Sequence, residues 1–99
     1  MTQILVRHTV EDYEAWKPHF DEHDGTREEY GQRGYRLHRS AEDPDDLVML
    51  FDWDSPETAR RFLEDSDLEA VMGEAGVVGE PQIAFLEEIE SREVGKPAA

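Results

Sequence analysis

His8, His23 and Arg27 are the residues whose types and spacing point to chemistry. His23 and Arg27 lie one helical turn apart, and with Tyr13, Trp16, Phe20 and Tyr30 they recur at spacings of three and four, which places all six on one helical stripe. His8 alternates with Ile4, Val6 and Val10 on the apolar side of a strand. An imidazole titrates near neutrality, so it can take a proton from a phenol or an enol, and a guanidinium can hold the anion that results. Tyr13, Trp16, Phe20 and Tyr30 would supply the flat apolar walls that an aromatic ligand needs. The plainer reading, in which the His and the Arg are hydrogen-bonded groups at the edge of a core, stands beside the catalytic one.

Other constellations carry less. His19-Phe20-Asp21-Glu22-His23 has the H-x-x-E-H spacing of some zinc peptidases, but the downstream ligand and the larger scaffold of that chemistry are missing. His19 and His23 at i and i+4 leave non-catalytic metal binding open, while the overall expectation is neither metal nor cofactor. His38 sits between Arg36 and Arg39 on a polar segment and reads as facing solvent or an interface. Gly73, Gly76 and Gly79 lack the preceding strand, adjacent Lys and following helix start of a phosphate loop, so they read as a helix exit. None of Ser40, Ser55 and Ser91 has a nucleophile-elbow context. The chain contains no cysteine, which removes disulfides, thiolate metal sites and cysteine nucleophiles together.

The elements that must position these residues follow from periodicity. Gln3 to Val10 alternates as a strand, and Asp12 is the expected N-cap of the helical stripe that follows. Pro18 falls inside that stripe, so the segment is expected either to kink there or to run as a short turn followed by a helix with Pro18 in its first turn. Gly31 and Gly34 should end it, with an edge strand over Tyr35 to Ser40, a turn over Ala41 to Asp46 and the most apolar strand over Leu47 to Asp54. Ser55-Pro56-Glu57 combines a capping hydroxyl, a proline at the first helical position and an acid in the first turn. Ala59, Phe62 and Leu63, then Leu68, Val71 and Met72 after a break near Asp65-Ser66-Asp67, form the apolar face of this second helical region. A last strand runs from Gln82 to Ile89, and the chain from Glu90 onward reads as a tail.

The order is βαββαβ, an α+β ferredoxin-like arrangement with an antiparallel four-stranded sheet and its helices on one face. One domain over residues 1–90 and a tail over 91–99 account for the 99 residues. The opposite sheet face needs a cover, and with only 37% hydrophobic residues the core is thin. A second copy of the chain is the simplest cover, so a homodimer is expected.

Charge excludes several partners. The chain carries 25 Asp and Glu against 10 Lys and Arg, a formal net charge of −15. Nucleic acid and anionic membrane surfaces both require basic patches, and no three basic residues are consecutive. Neither a signal-like apolar stretch nor a membrane span is apparent, so the cytoplasm is the expected compartment. The acid excess, with Arg far outnumbering Lys, fits a protein kept soluble in high salt, whose stability should rise as salt screens the repulsion.

Val6-Arg7-His8, Asp12-Tyr13, Trp16-Lys17-Pro18, Phe20, His23, Arg27, Phe51-Asp52-Trp53-Asp54-Ser55 and Gly76-Val77-Val78-Gly79-Glu80-Pro81 together resemble the dimeric α+β barrel superfamily, in particular its antibiotic biosynthesis monooxygenase-like proteins. The resemblance spans about Gln3 to Glu88. It implies a homodimeric barrel joined through the sheets, with a small-molecule cleft between sheet and helices. The implied activity is cofactor-independent monooxygenation of a small aromatic or polyketide-like compound, with His23 or His8 as base and Arg27 holding the anion. The alternative is a non-enzymatic small-molecule-binding or stress-responsive protein using the same cleft. Trp53 matches the family's tryptophan of the third strand and joins Tyr13, Trp16, Phe20 and Tyr30 as a ligand-binding candidate. The Asn, Trp and His of haem-degrading members fall here at His8, Leu63 and Gly73, so the resemblance does not extend to haem.

Overall fold

Period-two alternation builds the sheet and period-3.6 stripes cover one side of it. The computed structural model describes residues 2–65 and 68–95. Strand β1 (Thr2–Val10) leads to helices α1 (Tyr13–Glu22) and α2 (Asp24–Tyr30), then to the hairpin of β2 (Gln32–Arg39) and β3 (Asp46–Trp53). Helices α3 (Pro56–Asp65) and α4 (Leu68–Glu74) connect β3 to β4 (Val77–Glu87). The sheet is wholly antiparallel in the order β2-β3-β1-β4, the expected ferredoxin-like topology, with each helical connection split in two.

Register sorts the side chains by face. Ile4 pairs with Phe51, Val6 with Met49 and His8 with Leu47, and these join Val10, Trp53, Trp16, Phe20, Ala59 and Phe62 in the buried layer beneath the helices. Leu5 opposite Leu50 and Arg7 opposite Val48 occupy the other face, which no helix covers. There Gln3 donates to Asp52 at 3.0 Å and Arg7 pairs with Asp46 at 2.8 Å.

Several expected boundaries move. Asp12 takes the N-cap position, but its side chain makes no capping bond; the Tyr13 amide instead donates to the Asp45 carboxylate at 3.1 Å, so the β2-β3 turn caps α1. Helix α1 runs straight through exposed Pro18, because the buried Trp16 and Phe20 hold its inner face while the proline looks outward, and the break comes at His23. Strand β2 starts at Gln32, with Gly34 inside it at a register shift rather than ending the helix. Gly31 does end α2, at φ +123°, where a Cβ would stand 2.9 Å from Trp53 Nε1. Ser55 caps α3 as expected, its hydroxyl accepting from the Thr58 amide at 3.2 Å. The break expected near Asp65 to Asp67 falls between α3 and α4, although residues 66 and 67 lie outside the described ones.

Strand β4 begins five positions earlier than the alternation indicates, at Val77, and ends at Glu87 rather than Ile89. Edge position lets it carry Pro81, whose missing N–H need not face a neighbour. Arg7 pairs with Gln82 but Thr9 pairs with Val78, so Gly79, Glu80 and Pro81 bulge out opposite the single residue His8. Residues 88–95 have neither helix nor strand, and residues 96–99 of the expected tail lie outside the described ones. No helix among the described residues is long and apolar enough to cross a membrane.

Candidate active site

Between β1 and β3 on one side and the helices on the other lies a cavity of about 60 Å³. Aromatic and thioether groups are prominent in its lining: Trp16 and Phe20 from α1, Met49, Phe51 and Trp53 from β3, Phe62 from α3 and Met72 from α4. Among the described residues the polar side chains on it are His8, His19, His23 and Arg27, with no carboxylate.

His8 reaches the cavity because strand alternation turns it, like Ile4 and Val6, toward the helices. It is only 6% exposed, and its ring meets Trp16 edge-on at 5.6 Å. Neither Nδ1 nor Nε2 finds a hydrogen-bond partner among the described residues. Buried polar atoms are ordinarily satisfied, so an imidazole with both nitrogens unmatched at a cavity wall is a group available to a ligand. Burial holds its pKa below the ordinary histidine value, which favours the uncharged ring.

Arg27, on α2, is 4% exposed and held from three directions. Its Nε donates to Gln32 Oε1 at 2.8 Å, its Nη2 approaches Asp24 Oδ1 at 3.4 Å, and Gln32 Nε2 donates to the same Asp24 oxygen at 2.9 Å. The guanidinium also lies 4.0 Å from the Phe20 ring centroid, a cation–π contact strengthened by desolvation. Burial lowers its pKa and Asp24 partly restores it. His23, at the α1-α2 junction, is half-buried with its ring 5.7 Å from Phe62; burial first and Arg27 second lower its pKa.

The structure thus brings His8, His23, Arg27, Trp16, Phe20 and Trp53 to one cavity. Tyr13 and Tyr30 stand outside its lining: Tyr13 packs beside Trp16 under Arg39, and Tyr30 packs on Phe62 while its carbonyl accepts from Trp53 Nε1 at 3.1 Å. His19 lines the cavity beside His23, but Glu22 is exposed outside it, so the zinc-peptidase arrangement does not form. Among the described residues no group of three or more His, Cys, Asp or Glu could hold a metal ion. Asp52 is turned to the open sheet face and Asp54 pairs with Arg33, so neither faces the cavity. Sequence reasoning missed Phe51, Met49 and Gln32 as site residues. Phe51 and Met49 were readable from the alternation with Trp53, whereas Gln32 sat in a stretch taken for loop.

No family model matches the sequence, and no curated protein does. Solved structures do match. A candidate antibiotic biosynthesis monooxygenase from Bordetella bronchiseptica superimposes with a TM-score of 0.75 at 17% identity, covering 90% of this chain and 97% of that one. SnoaB, a cofactor-independent oxygenase from Streptomyces nogalater, gives 0.75 at 14% identity over 91% and 94%. The ActVA-Orf6 monooxygenase of Streptomyces coelicolor, solved with the ligand nanaomycin D, gives 0.69 at 20% over 95% and 92%. The chain therefore has the ferredoxin-like α+β fold of antibiotic biosynthesis monooxygenases. At these identities the likeness defines the fold.

Proposed function

We propose that the protein is a cofactor-independent monooxygenase acting on a small aromatic phenol or enol, with His8 as general base and Arg27 as the holder of the oxyanion. The observation that carries this reading is the buried His8, neither of whose ring nitrogens has a hydrogen-bond partner among the described residues, on a cavity that also contains a buried guanidinium. The substrate is a phenol or enol whose keto tautomer has a ring CH₂, so that loss of one proton leaves an anion with charge on that carbon. His8 takes the proton, the carbanion adds dioxygen to form a C–O bond, and the O–O bond of the hydroperoxide then breaks. For a CH₂ carbon, one oxygen stays as the carbonyl and the other leaves as water. Arg27 holds the negative oxygen throughout, and His23 with Trp16, Phe20 and Trp53 frames the ring. The nanaomycin D complex of ActVA-Orf6 and the oxygenase SnoaB support the reading as fold relatives.

Oxygen uptake with phenols and hydroquinones tests it, run in molar KCl. His8→Phe should lower kcat/KM about 10²–10⁴-fold, the usual contribution of a general base. Uptake that is equal in wild type and variant overturns the assignment of His8. The largely apolar lining favours a second reading, a non-enzymatic small-molecule-binding or stress-responsive protein, which predicts aromatic binding without uptake.

A cytoplasmic homodimer belongs to the same reading. Its support is the uncovered sheet face, where half-buried Leu5, Val48 and Leu50 meet Leu86, 38% exposed, on one surface. Light scattering should give twice the 11.4 kDa chain mass, and Leu50→Asp should halve it. A wild type that scatters as a single chain sinks the dimer.

A further inference from the structure

We infer that the ligand binds across two compartments, and that the wall of Leu63, Leu68 and Met72 between them sets how large an aromatic ligand the protein accepts. The inference rests on the reading of the cavity as the ligand site. A second hollow, a surface groove of about 590 Å³, lies between α4 and the start of β4. Among the described residues Leu63, Leu68 and Met72 line both the groove and the inner cavity, so these three side chains form a boundary that the two hollows share. The groove has the volume of an ordinary small-molecule site, roughly 300–1,000 Å³. The inner cavity, at about 60 Å³, is smaller than the roughly 150 Å³ cavity that admits benzene elsewhere. A ring entering next to His8 must therefore displace part of this wall, and a fused-ring ligand must extend through it into the groove.

The sheet irregularity supports the path. Gly79, Glu80 and Pro81 line the groove and are the residues that bulge from β4 opposite His8, so the groove adjoins the strand position of His8. All three wall residues are half-buried, and Met72 has the rotamer freedom to move aside. Charge orients the occupant. Among the described residues the inner compartment holds His8, His23 and Arg27 and no carboxylate, while Glu69 and Glu80 stand at the groove. The ionisable hydroxyl thus goes inward, and the outer rings carry no acid.

Calorimetric titration with phenol, 1-naphthol and 9-phenanthrol tests this, using wild type, Met72→Ala and the narrowing variant Leu63→Phe, each first checked for a cooperative melt. Met72→Ala should bind the three-ring compound about tenfold more tightly than wild type, with phenol affinity changed less than about threefold; that is the low end of the effect of a methylene's fit in a pocket. Leu63→Phe should do the reverse. The indole N–H resonances of Trp16 and Trp53, both on the inner cavity, should shift with each ligand bound. An identical size preference in all three proteins overturns the inference even if oxygen uptake is normal. The expected size pattern without uptake leaves the wall standing and removes the oxygenase. Absence of binding by every probe removes the wall and the cavity reading together.

Discussion

In the first half of the chain, from β1 to β2, the connecting helices send Trp16, Phe20 and Arg27 into the core. In the second half, α3 contributes Ala59 and Phe62, α4 contributes no buried residue, and β4 leaves Ile83 and Phe85 more than a third exposed. Both halves have the same βαβ plan, yet among the described residues only the first ties its helices down with a stacked aromatic pair, Trp16 on Phe20 at 4.8 Å, and a hydrogen-bonded buried cation. Catalytic groups need fixed geometry, and entry needs a side that yields. The proposed base and oxyanion holder lie in the tightly packed half, and the groove opens in the other.

The largest expected effect breaks the comparison if it is wrong. Phe20→Ala should destabilise by about 3–5 kcal/mol, whereas Val71→Ala, half-buried on α4, should cost about 1 kcal/mol, both read from urea unfolding. Equal losses would mean that the two halves are equally packed.

Gly31→Ala probes the seam where α2 meets β3 and α3. A side chain there would adopt φ +123° and press on Trp53 and Thr58, so a loss of about 1–3 kcal/mol is expected. A wild-type midpoint would show that this seam has slack.

Acid should unfold the first half through its histidines. The folded pKa of His8 lies below the unfolded value of about 6.5, so the unfolded chain binds more protons between the two. Stability is therefore full above about pH 6.5 and declines as pH falls toward the folded pKa. His23 shifts in the same direction, with Arg27 opposing its charge and His19 lining the same cavity. Urea midpoints at pH 7 and pH 5 should differ in wild type and differ less in His8→Phe. An unchanged difference would assign the acid sensitivity elsewhere.

The smallest effect separates charge from packing. Molar KCl should raise the urea midpoint by screening a net charge of −15, and should do so alike in wild type and Val71→Ala. A midpoint independent of salt would deny the halophilic reading.

Much of this was legible from particular residues. The alternation of Ile4, Val6, His8 and Val10 named the covered face of β1, the stripe through Trp16, Phe20, His23 and Arg27 named the inner face of α1 and α2, and Ser55-Pro56 marked the start of α3. The stripe overreached at Tyr13 and Tyr30, because three-and-four spacing fixes a direction and not a depth, and the cavity lies under the middle of the stripe.

By itself, then, the sequence determined the strand and helix periods, the face each residue shows and the acid excess, since these depend on neighbours along the chain. Tertiary structure decided the rest. Asp45 caps a helix 32 residues away, Gln32 becomes the partner of a buried Arg27, β4 swallows Gly79 to Pro81 as a bulge beside His8, and Leu63, Leu68 and Met72 become a shared wall. The cap and the bulge depend on how closely two elements distant along the chain approach, and the Arg27–Gln32 pair on how the chain turns at Gly31; whether a buried polar atom finds a partner is settled only by what that folding brings to it.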